Sequence, residues 1–394
     1  MADVRERDAT RVYFHQHPRH RRRQRESVEH CPYGVRPIVR PDIVFASETQ
    51  LVARYTSRWG RMRAALIRVL APVNVRRVPA ALARSASFVY TWGMIPIRTP
   101  IPYVVELDTP YVLSFYSVRW FRVMRPVLRR MLLSRQCHAI ACVSDACRRN
   151  LRQELGPEVA SKARVVYPVP PARPASAASQ RFGGPVRFLF VSTQFALKGG
   201  RETVAALSRL IGEGADVELT VVSHPPADIV RELASPRIRF VPATLDKATL
   251  LREHFATADV FVLPTLQDSF GLVYLEALAY GLPIVATRLY AMPEMVQEGI
   301  NGLLLEPPVR YYLPDDTANA ALWTTDVGAL VEAHRFPEFT TSLLEACRAM
   351  LDDGRRRQMA DASRELFDAR FAPAVRDASF RALFEDSSPS KASG

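Results

Sequence analysis

The feature that most constrains this chain is an alternation. Short runs rich in β-branched and aromatic residues are separated by stretches of helical period, in two series. The first series holds "RVYFHQ", "DIVFASE", "SFVYTW", "YVVELD", "AIACVS" and "ARVVYP". The second holds "VRFLFVS", "VELTVVS", "IRFVPA", "VFVLPT", "PIVAT" and "GLLLEP". Between them runs "PVPPARPASAASQRFGGP", Pro168 to Pro185, whose Pro, Ala and Ser content reads as a linker. Strands that alternate with helices pair in parallel, because a parallel partner is reached only through a crossover. The expected fold class is α/β: two Rossmann-like, doubly wound domains in tandem. Such sheets take ligands outside the carboxyl ends of their strands, which here leads to the expectation of a cleft faced by both domains. The expected first domain is 1–180, with linker 168–182, and the second is 183–372. The segment at about 309–337 has no clear period and reads as an insertion. A helical stretch at about 373–386 is expected to pack back on the first domain, and 387–394 to be disordered.

Charge separates the two series as well. Residues 1–180 carry 31 Lys and Arg against 12 Asp and Glu, a balance of +19; residues 181–394 carry 22 against 28, a balance of −6. The first half therefore suits an anionic partner such as nucleic acid, anionic lipid or a polyanionic saccharide. The five cysteines form no CxxC pair, and an odd number argues against a disulfide framework, so buried reduced thiols are expected. The five-residue step of Cys137, Cys142 and Cys147 suits neither a helix face nor a zinc knuckle. The N-terminal stretch lacks the apolar core of a signal peptide, and no run approaches 18 apolar residues. A cytoplasmic protein is the expectation.

The segment "FVLPTLQDSFGLVYLEALAYGLPIVAT", Phe261 to Thr287, reads as strand, loop, helix and strand. Asp268 or Ser269 is the expected N-cap, Gly271 to Tyr280 the helix, Gly281 its C-cap and Pro283 its stop. Such a helix N-terminus presents unpaired N–H groups and partial positive charge, which suits a phosphate, and Gly271 removes a side chain that would obstruct close approach. Glu276 is the helix's single charged residue. Its neighbours three and four positions away are Leu272, Val273, Ala279 and Tyr280, so it belongs to no solvated stripe. Two readings fit a carboxylate placed there: a structural Glu bonded to backbone or arginine, or a partner for a ribose diol.

"QDSFGLVYLEALAYGLPIVAT…PEMVQEGINGLLLEPP" resembles the signature of retaining glycosyltransferases of family 4, which have the GT-B fold. The resemblance covers about residues 183–306 well and 338–385 weakly. It implies transfer of a sugar from a nucleotide-sugar donor, with retention, to a saccharide or lipid-linked acceptor, with no metal and no cofactor. Asp268 then corresponds to the acid that contacts donor-sugar hydroxyls, and Glu276 to the acid that holds the ribose. The backbone of Ser269, Phe270, Gly271 and Leu272 corresponds to the amides at the sugar and diphosphate. Asp268 departs mildly from the family, which more often has Glu there. In "FLFVSTQFALKGG", Lys198-Gly199 matches a family element whose lysine meets the diphosphate. Thr193 stands where the family has a second cation, unless Arg201 or Arg288 replaces it. Pro242 and Thr244, in "FVPATLDKATL", occupy the place of the nucleobase loop. Tyr290-Ala291 replaces a Gly-Gly pair, which would narrow the sugar pocket, and Glu294 matches the acid that follows.

The resemblance makes the first domain the acceptor domain and places Asp108, with Glu106 behind it, at a strand end that often carries a catalytic-face acid or histidine. A turn or cap role for Asp108 fits the local sequence equally well. The family's Gly-rich loop after the first strand is missing; "HPRHRRRQRE" follows instead. Ser144 reads as an N-cap. Two basic stretches, "SRWGRMRAALIRVL" and "SVRWFRVMRPVLRRMLLSR", are amphipathic. In the second, Trp120, Met124, Val127, Leu128 and Met131 project to one arc, and Arg119, Arg122, Arg125, Arg129 and Arg130 to the other, with Pro126 expected to kink it. Such a helix either packs on its sheet and shows arginine to water, or docks on an anionic membrane. Asp315-Asp316 imitates the metal-binding acidic motif of other glycosyltransferases only poorly. The alternative function is a catalytically degenerate relative that holds a polyanion or nucleic acid through the basic half, although no aromatic-interleaved nucleic-acid motif supports that branch. A Rossmann dehydrogenase is disfavoured, since no GxGxxG follows a predicted strand.

Overall fold

The computed structural model describes residues 9–17, 22–43, 72–172, 184–233, 235–323 and 327–385. It divides into two units: Met1–Val169 with Pro373–Gly394, and Pro170–Ala372. The division falls at the start of the proline-rich stretch rather than at 180. The basic run "SRWGRMRAALIRVL" and most of "DIVFASE" lie outside the described residues, as do 386–394.

In the first unit, β1 (Thr10–Phe14), β2 (Val35–Ile38), β4 (Phe88–Trp92), β6 (Tyr103–Leu107), β7 (Cys137–Cys142) and β8 (Ala163–Val165) form one sheet. Its order is β2-β1-β4-β6-β7-β8, with every pairing parallel. β3 (Val75–Arg77) and β5 (Ile95–Ile97) make a separate parallel pair. All five residues of β6 are buried, as expected for a strand covered on both faces. Phe14, Tyr90, Trp92 and Val104 meet Phe380, Leu383 and Phe384 in one apolar cluster, so the Pro373–Arg381 helix and the turn after it complete this unit's core.

The helix expected around Arg119–Arg130 spans Val118–Leu133, with Ser117 as N-cap and Pro126 inside it. Its buried face is Val118, Phe121, Leu128 and Leu132, not the arc expected from the projection; Val127 is 44% exposed. Arg125 and Arg129 turn inward. Arg125 pairs with the buried Glu154, which also accepts the Tyr111 hydroxyl at 2.8 Å, and Arg129 bonds the Leu155 carbonyl and Glu158. Fixed polar partners, rather than apolar content, set the rotation of this helix. Ser144 caps the next helix through the Cys147 amide, 3.0 Å away. The cysteines are all free thiols, four buried and Cys31 partly so.

The second unit repeats the pattern. β9 (Val186–Val191), β10 (Val217–Val222), β11 (Ile238–Val241), β12 (Val260–Leu263), β13 (Ile284–Thr287) and β14 (Gly302–Leu305) form an all-parallel sheet in the order β11-β10-β9-β12-β13-β14. At the amino edge Arg187 grips Asp259 with two hydrogen bonds of 2.9 and 2.8 Å. The order reverses between β9 and β12, and a ligand belongs at the carboxyl ends of that strand pair. The segment at 309–337 is not featureless: it holds a bridge between Tyr312 and Ala318 and the short helices Ala320–Trp323 and Val327–Ala333.

Candidate functional site

The loops that leave β9 and β12 are built to lie on each other. After β9 the chain makes one tight turn, Ala196–Lys198, and enters the Gly200–Gly212 helix through Gly199 at φ +72°. A Cβ at Gly199 would stand 2.5 Å from the Pro264 carbonyl oxygen, so only glycine permits this approach. The Leu266 amide then donates to the Leu197 carbonyl at 2.9 Å. The result sets Lys198 Nζ 2.6 Å from Asp268 Oδ2, where it also donates to the Gln267 carbonyl. Both side chains are largely covered, at 11% and 19% exposure.

Asp268 is fixed a second time. Its Oδ1 accepts the Phe270 amide at 3.1 Å, a turn stabilised by its own side chain. The helix that follows spans Leu272–Ala279, and neither Asp268 nor Ser269 caps it, contrary to expectation. The N-cap is Gly271, at φ +75°, and no side chain caps the first turn. The left-handed turn excludes other residues here: a Cβ would meet the Tyr274 ring at 2.6 Å. Tyr274 ties the helix to the sheet by donating to the Leu263 carbonyl at 2.5 Å. From Tyr274 onward the helix is buried all round, and Glu276 within it is 1% exposed. A carboxylate so deeply desolvated holds its charge only among hydrogen-bond donors. Phe270 is buried and Ser269 and Leu272 are half-buried.

The remaining candidates fall at the same sheet edge with less detail. Thr193 is exposed in the loop after β9. The suggested substitutes for its missing cation are engaged elsewhere: Arg201 donates to the Glu332 carbonyl, and Arg288 pairs with Glu306 and Glu298. Pro242 and Thr244 are exposed after β11, in a loop that ends where Asp246 caps the Lys247–Glu253 helix. Glu294, 5% exposed, sits on the short Met292–Met295 helix and pairs with Arg370 at 3.4 Å. No local signal points to Arg370. Asp315 and Asp316 form a turn in which Asp315 accepts the Thr317 amide and hydroxyl. Among the described residues no group of three or more His, Cys, Asp or Glu could hold a metal ion.

Asp108 belongs to the other unit, at the carboxyl end of β6. Its Oδ1 accepts the Thr109 amide and its Oδ2 the Tyr116 hydroxyl, each at 2.9 Å. Tyr116 reaches it from two successive left-handed residues, Phe115 at φ +53° and Tyr116 at φ +61°. Glu106 lies behind it, buried, accepting the Tyr90 hydroxyl at 2.6 Å and pairing with Arg23 at 3.3 Å. The sequence names Asp108 and Glu106 but gives no hint of Tyr116 or Arg23. These partners come from separate elements.

Residues 185–323 match the family model described as glycosyl transferases group 1. A D-inositol 3-phosphate glycosyltransferase from Geodermatophilus obscurus is 44% identical over 69 residues, which is 18% of this chain and 15% of that protein. An N-acetyl-alpha-D-glucosaminyl L-malate synthase from Bacillus anthracis is 31% identical over 120 residues, 30% of this chain and 31% of that one. The chain thus spans under a third of the length of these curated relatives. Solved structures extend the likeness to both units. Anabaena HepE in complex with UDP has a TM-score of 0.60 at 15% identity over 95% of this chain and 98% of its own. The lipopolysaccharide glycosyltransferase WaaG has a TM-score of 0.56 at 14% identity over 95% and 100%. Two Rossmann-like units and neighbours of this kind show the GT-B fold, and within it residues 185–323 match the group 1 glycosyl transferases.

Proposed function

We propose that this chain transfers a sugar, with retention, from a nucleotide-sugar donor bound by the Pro170–Ala372 unit to a hydroxyl of a saccharide or lipid-linked acceptor. The observation that carries the reading is the Lys198–Asp268 pair, 2.6 Å apart at the switch point of the sheet and beside an uncapped helix N-terminus. A diphosphate drawn to that terminus can take Lys198 as its counter-ion, while Asp268 turns to sugar hydroxyls and Glu276 meets the ribose. In the transfer step the bond from the anomeric carbon to the leaving phosphate oxygen breaks. The acceptor oxygen bonds to the same face of that carbon, and its proton passes to the leaving phosphate. Lys198 and the backbone amides of Ser269–Leu272 hold the charge that develops on the diphosphate, so no metal is invoked. UDP bound to HepE favours a uridine nucleotide as the first to test.

A thermal-shift comparison of UDP, GDP, ADP and CMP tests the donor site. One nucleotide is expected to stabilise the wild type, by about 2.7 kcal/mol at roughly one hundred times its Kd. Glu276→Gln, which keeps volume and removes charge, should lose most of that shift. An undiminished shift in Glu276→Gln would remove the ribose role, and no shift with any nucleotide would favour the polyanion-binding alternative.

A peripheral membrane location is the second part of the proposal. No helix among the described residues is long and apolar enough to cross a membrane. The Val118–Leu133 helix instead exposes Val123 at 60%, Val127 at 44% and Leu133 at 40% among the exposed Arg119, Arg122 and Arg130. Apolar residues in such a cationic field suit an anionic lipid surface, where each arginine contributes about 1 kcal/mol. Vesicles containing phosphatidylserine are expected to sediment the protein at low salt and release it near ~1 M salt, where screening shortens to about 3 Å. Vesicles of neutral lipid that sediment it equally well would contradict this.

A further inference from the structure

Tyr290 follows β13 at φ +47°, in the left-handed region that a non-glycine residue adopts only when its surroundings hold it there. What holds it is a second ring. Tyr290 and Tyr312 stack with centroids 4.0 Å apart and planes 20° from parallel. Tyr311 and Trp323 stack in turn, at 4.7 Å and 17°, and Tyr312 meets both of them edge-on. The Trp323 indole N–H donates to the Tyr311 carbonyl at 3.0 Å, and the Asn319 amide donates to the same oxygen at 3.1 Å. Three of the four rings come from the 309–337 segment, and together they form one rigid block.

The block has a consequence at the donor loops. The Tyr311 ring packs against the apolar cluster around Leu266, the residue before Gln267. Gln267 is the residue whose carbonyl accepts Lys198 Nζ and, at 3.2 Å, the Thr265 hydroxyl. Its neighbour Leu266 is packed in an apolar cluster with Val327 and Val331 from the far side of the same segment and with Phe339 of the Pro337–Ala349 helix that follows. Ala196 and Leu197, immediately before Lys198, join that cluster. Both donor loops are thereby gripped by one external piece of chain.

We infer that the 309–337 segment is a clamp on the donor site. Through the ring block and the apolar cluster around Leu266 it holds the Gln267 carbonyl and Asp268 where they orient Lys198, which makes Tyr311 and Trp323 positioning residues. The inference rests on the reading that this unit binds a nucleotide-sugar donor, and it assigns a task to a segment that reads as a mere insertion.

Tyr311→Leu is the incisive variant, because it keeps an apolar side chain in the cluster and removes the ring from the stack, and Tyr311→Phe is its control. Trp323 is the single tryptophan between residues 170 and 372, so its fluorescence reports on this block. The probe is whichever of UDP, GDP, ADP and CMP stabilises the wild-type full chain. Titration of that nucleotide should change the wild-type emission, and the change should vanish in Trp323→Phe. Tyr311→Leu should bind the same nucleotide about 3- to 10-fold more weakly, while Tyr311→Phe, which keeps the stack, should bind it as the wild type does. Equal affinity in wild type and Tyr311→Leu, or an emission change that survives in Trp323→Phe, would overturn the clamp while leaving the donor site standing. A wild type that binds none of the four nucleotides would instead overturn the donor reading, and the clamp with it.

Discussion

Lys198→Ala should lower turnover by about 10²- to 10³-fold with the fold intact, the loss seen when one preorganised donor is removed from developing charge. The ammonium contributes little to stability, because its partners Asp268 and the Gln267 carbonyl keep other contacts: Asp268 Oδ1 still accepts the Phe270 amide, and the Gln267 carbonyl still accepts the Thr265 hydroxyl. On the proposed function its contribution belongs to the transition state, where the diphosphate leaves. Thr193 is uncharged, Arg201 donates to the Glu332 carbonyl and Arg288 pairs with Glu306. Lys198→Arg should recover only part of the activity, because the covered 2.6 Å contact to Asp268 leaves little room for a planar guanidinium. The assay belongs in EDTA, where wild-type turnover is expected to persist. A Lys198→Ala enzyme within threefold of wild type would remove Lys198 from the mechanism, and turnover that requires added divalent metal would transfer its role to the metal.

The parts that were legible in the sequence share one property: their signal is local. A strand buried on both faces, such as "VFVL", announces itself because nothing polar interrupts it. Gly199 and Gly271 could be picked out because each lies within a few residues of the strand end it serves. What escaped the sequence depends on distant partners. The Val118–Leu133 helix carries apolar residues around most of its circumference, so hydrophobicity alone could not choose its inward face. Glu154 and the Leu155 carbonyl choose it, by fixing Arg125 and Arg129. The cap of the Leu272–Ala279 helix differs from the expected one for a related reason. Asp268 is a strong capping residue by type, but here its carboxylate is committed to Lys198 and the Phe270 amide. The 309–337 segment lacks a period because its order comes from ring stacking and from Leu266, not from a repeating face of its own.

The largest effect on stability is expected from the Pro373–Arg381 helix. Ending the chain at Ala372 should leave the first unit unable to fold, although that unit would keep all of its strands. Phe380 and Leu383 are 1% and 0% exposed, inside the cluster that also holds Phe14, Tyr90 and Trp92. Phe380 lies 6.4 Å from Phe14 in a near-parallel stack and 5.4 Å from Tyr90, and Phe384 lies 5.3 Å from Phe88. Arg376 adds a hydrogen bond of 2.8 Å to the His30 carbonyl and covers the Phe380 ring at 4.5 Å. Phe380→Ala alone should cost about 3–5 kcal/mol. That is a large share of the roughly 5–15 kcal/mol by which a domain is stable, and the truncation removes Leu383 and Phe384 too. Trp92 belongs to the same cluster, so its emission during urea unfolding reads the event directly. Phe380→Leu, which keeps most of the volume, should lose far less than Phe380→Ala. If the truncated chain instead unfolded at the urea concentration of the full chain, the cluster would be packing without consequence, and the first unit would fold on residues before 170 alone.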